Sequence, residues 1–216
     1  MNWWQVWGNA AQLAGAVATT VAVLVALFKE DYLRLRRHPK LTASIEAKHP
    51  NCIRTAVQWR GPDKERPWKG WIYWLRIWVK NEGNERAEKV EVFLSRAWGW
   101  KNGSFELLPT FTPMNLVWSY TKDIYVEGIS SDMRRLCDLG SILEPEYARP
   151  ARTETRLALR LQADGLSLSP GRYKFEIIIA GSNCKPVAHC FHLHLTGRWH
   201  EEPAEMLAHG FTFEPP

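Results

Sequence analysis

The sequence predicts a mainly β protein, an antiparallel β-sandwich preceded by one transmembrane helix, and three observations carry that expectation. Residues 6–28 hold no formal charge. Past His38-Pro39 the chain breaks into short runs in which apolar and polar residues alternate, so that every second side chain falls on one face, with Gly, Pro, Asn and Asp between the runs. The composition is that of a folded domain: 216 residues, 45% hydrophobic and 24% charged, fit one globular unit plus at most one extra element. A disordered tail, a collagen and a multi-span channel are excluded, and four cysteines are too few to build a disulfide scaffold.

The helix comes first. Val6 to Phe28 is an uncharged stretch of 23 residues, which at about 1.5 Å per residue reaches roughly 34 Å, against a hydrocarbon core of ~30 Å. No Lys or Arg precedes it and no small-residue cleavage pattern follows it before Lys29-Glu30-Asp31, which argues against a signal peptide. Lys29, Arg34, Arg36, Arg37 and Lys40 form a basic juxtamembrane cluster behind it, so the expected orientation is amino terminus outside and the bulk of the chain inside. Trp3, Trp4 and Trp7, with Val6 and Phe28 bounding the span, are the expected membrane anchor. Ala10, Ala14, Gly15, Ala18, Ala22 and Ala26 are small residues in rows spaced by four, which permit close helix approach; they are read either as a self-association face or as an alanine-rich helix by chance. The expected location is therefore the inner (plasma) membrane, single-pass, with the β domain cytoplasmic and its cysteines reduced.

The β elements follow in order. Leu41, Ala43 and Ile45 alternate; Trp71, Tyr73, Leu75, Ile77 and Val79 share a face, closed by the turn residues Asn81 to Glu85; Val90, Val92 and Leu94 come next. Leu157, Leu159 and Leu161 alternate with Arg156, Ala158 and Arg160. Tyr173, Phe175, Ile177 and Ile179 then pair across Gly181-Ser182-Asn183 with Phe191, Leu193 and Leu195. Seven or so short strands with regular turns argue a sandwich. The expected organisation is 1–28 transmembrane helix with its aromatic flank, 29–40 basic linker, 41–199 β-sandwich, and 200–216 surface tail. Residues 101–152 form an irregular insertion, with a strand near Leu116-Val117-Trp118 and a short helix from Asp132 to Leu136.

Three stretches carry a resemblance. Leu75 to Gly83 followed by Ala87 and Val90-Glu91-Val92, together with Gly171-x-Tyr173-x-Phe175, resembles the strand signatures of bacterial immunoglobulin-like, adhesion-type β-sandwich domains. Asn115-Leu116-x-Trp118 with Arg135-x-Cys137-Asp138-Leu139-Gly140 is similar to uncharacterised prokaryotic proteins having one amino-terminal span and a cytoplasmic sandwich. The resemblance covers about a third of the chain; it implies an immunoglobulin-like fold and a membrane-tethered layout, and carries over no catalytic residue.

Two candidate sites stand out. Cys190, His192 and His194 alternate on one strand face at ~7 Å steps, at which two histidines can share a zinc, with Cys184 as a fourth ligand; the plain alternative is a polar, solvent-facing strand. Trp74, Arg76 and Trp78 lie opposite the Leu75-Ile77-Val79 face and form either a partner interface or a face covered by other chain. His189 belongs on the core side with Phe191. No phosphate loop, nucleophile elbow, HExxH or CxxC pair is present. Outside the linker the charge is nearly balanced, +2 over residues 41–216, which disfavours nucleic acid. The expected function is a membrane-tethered cytoplasmic binding or scaffolding module without catalytic activity or cofactor. Its expected partners are the lipid bilayer and a protein, or a second copy through the span. The alternatives are a sensor or effector of a prokaryotic stress or defence system acting through span association, and a zinc-binding domain on the Cys190-His192-His194 face.

Overall fold

A computed structural model describes residues 15–29, 38–60, 67–147, 153–163 and 166–214. The chain divides into two compact units, 1–38 and 39–216. In the first, residues 15–29 form a helix whose side chains are exposed, with the Thr19 and Thr20 hydroxyls donating back to the Gly15 and Ala16 carbonyls.

That helix corrects the expected transmembrane segment. Fifteen residues at ~1.5 Å each reach only about 22 Å, short of a ~30 Å core. Among the described residues no helix is long and apolar enough to cross a membrane. The single-pass topology, the outside amino terminus, the inner-membrane location and the cytoplasmic placement that rested on a span lose their support with it. Of the expected anchor and packing residues, Phe28, Gly15, Ala18, Ala22 and Ala26 lie on this helix and are exposed. Trp3, Trp4, Val6, Trp7, Ala10, Ala14, Arg34, Arg36 and Arg37 lie outside the described residues.

The second unit is the expected antiparallel sandwich, with more strands than the sequence suggests. In chain order they are β1 (Leu41–Ser44), β2 (Cys52–Arg60), β3 (Pro67–Asn81), β4 (Ala87–Lys101), β5 (Ser104–Leu107), β6 (Met114–Asn115), β7 (Val117–Trp118), β8 (Tyr125–Ile129), β9 (Arg134–Leu143), β10 (Leu157–Leu159), β11 (Ser167–Leu168), β12 (Gly171–Gly181), β13 (Cys184–Leu195) and β14 (Phe211–Glu214). The first sheet runs β1-β3-β9-β10-β11, with β2 also on β3 and β7 on β9. The second runs β14-β13-β12-β4-β5, with β6 and β8 also on β4. Strand β3 organises the first sheet: β2 pairs with its first part and β1 with its last, while β9 takes the other edge.

The two inner faces meet in one core. Leu75, Ile77 and Val79 of β3 and Cys137 and Leu139 of β9 pack with Val90, Val92 and Leu94 of β4 and with Phe175, Ile177 and Ile179 of β12, all fully buried. Those on β3, β4 and β12 are the alternating positions that the sequence marks as inward, because a period of two puts them on one side of each pleated strand, whereas Cys137 and Leu139 lie in the stretch expected to be irregular. Asn81 explains the turn after β3. Its buried side chain accepts from the Lys40 and Gly83 amides and donates to the Glu85 and Ile129 carbonyls, so all its hydrogen-bonding capacity is used where β1, β3 and β8 come together.

Two further expectations change. The expected irregular insertion at 101–152 is, over its described residues 101–147, built of strands: it supplies β5 to β9 and joins both sheets, and the helix expected from Asp132 to Leu136 is instead a turn leading into β9. The surface tail expected at 200–216 is, over its described residues 200–214, packed into the domain. Met206 and Phe211 are fully buried, and β14 pairs with β13 from Leu195↔Phe211 to His192↔Glu214. Phe211 and Phe213 alternate as a strand should, but a four-residue strand behind a short helical turn is too brief a pattern to stand out in sequence.

Candidate functional site

The outer face of the first sheet holds the most organised polar cluster outside the core, and Trp74, Arg76 and Trp78 of β3 are its axis. Leu75 pairs with Gly140 and Arg76 with Asp138, so β9 carries one extra residue, Leu139, at a β-bulge. The bulge keeps Asp138 opposite Arg76 while putting Ser141, three residues on, opposite Trp74. Gly140 allows the close approach of β10 that this requires: a Cβ there would stand 2.8 Å from the Ala158 carbonyl oxygen and 2.7 Å from a Leu157 methyl.

Arg76 is buried, with its Nε donating to Asp138 Oδ1 at 3.1 Å and Nη1 to the Tyr120 hydroxyl at 3.2 Å. Ser119 Oγ donates to the same Asp138 oxygen at 2.5 Å. Asn51 braces the strand behind, exchanging bonds with the Arg76 backbone. A buried charge pair is weak evidence for stability, because desolvation cancels much of the attraction, but it fixes the positions of the groups around it. Here those groups are aromatic. The Arg76 guanidinium lies 5.8 Å from the Trp74 ring and 5.1 Å from the Tyr120 ring, the Arg160 guanidinium lies 5.1 Å from the Trp74 ring, and Arg134 lies 4.2 Å over Trp78. The Trp74 indole N–H donates to Thr55 Oγ1 at 3.0 Å, which fixes the ring.

Electrostatically the cluster is unbalanced. Asp138 is taken by Arg76, whereas Arg134 and Arg160 have no ion pair among the described residues, and the buried Arg160 Nε has no acceptor. The face is thus a set of held indoles and guanidiniums with donors in excess. It is neither covered by a second layer of strands nor fully open: Trp74 and Trp78 are half-buried and Tyr120 is 80% exposed. Tyr120 and Lys122 adopt left-handed backbone angles, φ +74° and +64°, in the loop after β7, a conformation disfavoured for side-chain-bearing residues.

The sequence identifies Trp74, Arg76 and Trp78 and misses Ser119, Tyr120, Arg134, Asp138 and Arg160 as their partners. One signal points there: an arginine between two tryptophans on a strand whose other face is core needs a carboxylate in a neighbouring strand, and Asp138 sits within a strand-like run.

The other candidate is more dispersed. Cys190, His192 and His194 do alternate on the outer side of β13, half-buried, and His192 stacks on Phe105 at 5.3 Å between centroids. Across the strands Cys190 faces Glu176, His192 faces Lys174 and Glu214, and His194 faces Arg172 and Thr212. Among the described residues no three His, Cys, Asp or Glu side chains come together as a metal-binding group. Cys184 lies six residues along the same strand from Cys190, about 20 Å away, and packs against the core, so it cannot complete that set. His189 lies on the Phe191 side as expected, and burial lowers its pKa. Burial pushes the Cys52 thiol up to about 12 and holds Cys137 well above the usual thiol range, so neither is a ready nucleophile at neutral pH.

Comparisons with protein-family models, curated proteins and solved structures find no significant match for this chain.

Proposed function

We propose that the chain is a binding module whose partner protein docks an acidic segment on the outer face of the first sheet, between Trp74 and Trp78. One observation carries this reading: Arg160 Nε is buried without an acceptor beside an Arg76–Asp138 pair that already uses the cluster's own carboxylate. A donor in that position is costly until an acceptor arrives, and a carboxylate is the acceptor a guanidinium matches best. Tryptophan, tyrosine and arginine are also the residue types in which interface energy concentrates, and here Trp74, Arg76 and Tyr120 are held by hydrogen bonds before any partner binds, which lowers the ordering cost of association.

The test is site-specific photo-crosslinking of the full chain in cells, with the photoreactive residue at position 120 beside the cluster or at position 100, where Trp100 is exposed on the second sheet. The reading expects an adduct with a protein bearing an acidic segment from position 120 and none from position 100. Adducts from position 100 alone, or from neither position, contradict it.

A further inference from the structure

A cavity of about 400 Å³ opens where β9 runs out beyond the loop after β7, and its walls include Trp78, Trp118, Tyr120, Arg134 and Arg135. That volume lies in the range of small-ligand sites. Two features distinguish it from a chance gap between sheets. Trp118 lines it and is only 1% exposed, yet its indole N–H is buried with no acceptor. A donor of that kind costs free energy unless something supplies an oxygen. Among the described residues the charged side chains in the lining are Arg134 and Arg135, both exposed and without an ion pair, and no carboxylate stands in the walls. Aromatic surface and two guanidiniums without ion pairs among the described residues thus line one space, and its wall includes the residue whose indole N–H is buried without an acceptor.

We propose that this cavity binds a small organic anion, a planar apolar body carrying one carboxylate or phosphate group. The body lies against Trp78 and Tyr120, an anionic oxygen accepts from the Trp118 indole N–H, and Arg134 and Arg135 neutralise the charge. The pocket shares Trp78, Ser119, Tyr120 and Arg134 with the docking face, but Trp118 and Arg135 line it without belonging to the Trp74–Arg76–Asp138 cluster, and the readouts that test it are taken at those two residues. The two readings can therefore fail separately.

The test is calorimetric titration of the full chain with 2-naphthoate, 1-naphthyl phosphate and neutral 2-naphthamide, alongside NMR of the indole N–H resonances, with that of Trp118 assigned by its loss in Trp118→Phe. The expected result is binding of at least one anion, with a shift of the Trp118 resonance, a roughly tenfold loss of affinity in Arg135→Gln, and binding of the amide weaker by a similar factor. Preference between the two anions tells carboxylate from phosphate. Arg135 is exposed, so its variant keeps the test open should Trp118→Phe fold poorly. Absence of a Trp118 shift with either anion at millimolar concentration, an affinity unchanged in Arg135→Gln, or equal binding of the amide overturns the proposal.

Discussion

The outer faces of the two sheets have similar raw materials and use them differently. On the second sheet, Lys174 lies over Trp98 at 5.1 Å, Arg96 approaches Glu176 at 3.8 Å and Arg172 approaches Glu214 at 3.7 Å, but the arginine side chains are 62% and 51% exposed. On the first, the paired Arg76 and Asp138 side chains are 8% and 10% exposed and share partners with Ser119 and Tyr120. Exposed pairs are screened by water and salt and contribute little; buried ones depend on every member of their network. Burial, more than residue type, separates a solvated β surface from a held cluster that can meet a partner without first being ordered.

That contrast can be broken by substitution. The largest expected effect is Asp138→Ala, which leaves Arg76 charged and buried without its carboxylate; urea unfolding should show a loss of about 3–5 kcal/mol. A loss under about 1 kcal/mol would mean that the pair is as solvated as those on the second sheet. Phe211→Ala should cost a similar amount, about 3–5 kcal/mol, because it empties a fully buried core site on the strand beside β13; a neutral result would show the carboxyl-terminal strand to be the surface tail that the sequence suggested. Arg96→Ala, on the second sheet, should stay within about 1 kcal/mol of the parent.

Two smaller effects sharpen the picture of the interior. With the chain folded near neutral pH, Cys52 and Cys137 should resist alkylation while half-buried Cys190 reacts, as mass spectrometry of the labelled peptides would show. Burial holds the His189 pKa below the ordinary 6.5, so the unfolded chain takes up this proton first and folding is favoured above that value and weakened as the pH falls through it. The drop in Tm between about pH 7.5 and 5.5 should therefore be smaller in His189→Gln than in the parent.

The inward side of the sandwich was largely legible because alternation is local: Leu75, Ile77 and Val79, or Phe175, Ile177 and Ile179, announce their face within five residues. The site was half legible for the converse reason. Trp74-x-Arg76-x-Trp78 shows one edge of the cluster, but Asp138 lies 62 residues away and is placed by a bulge that breaks the very periodicity used to read strands. Residues 101–152 read as irregular because strands such as β6 and β7 carry too few residues to show any period, while the longer β9 is buried on both faces past its start and interrupted by the bulge. The amino-terminal segment misled in another way. Absence of charge over 23 residues measures the length of an uncharged run, whereas a crossing requires that length as one continuous helix, and the described helix holds only residues 15–29.

The most direct test of the account compares the two faces in binding. With a crosslinked partner reconstituted from purified components, Trp74→Ala should weaken the complex by about 2 kcal/mol, roughly thirtyfold in Kd, while Trp98→Ala on the second sheet leaves Kd unchanged and both variants keep the parent's fold. Equal effects from the two substitutions, or a loss confined to Trp98→Ala, would contradict the assignment of the docking surface to the first sheet.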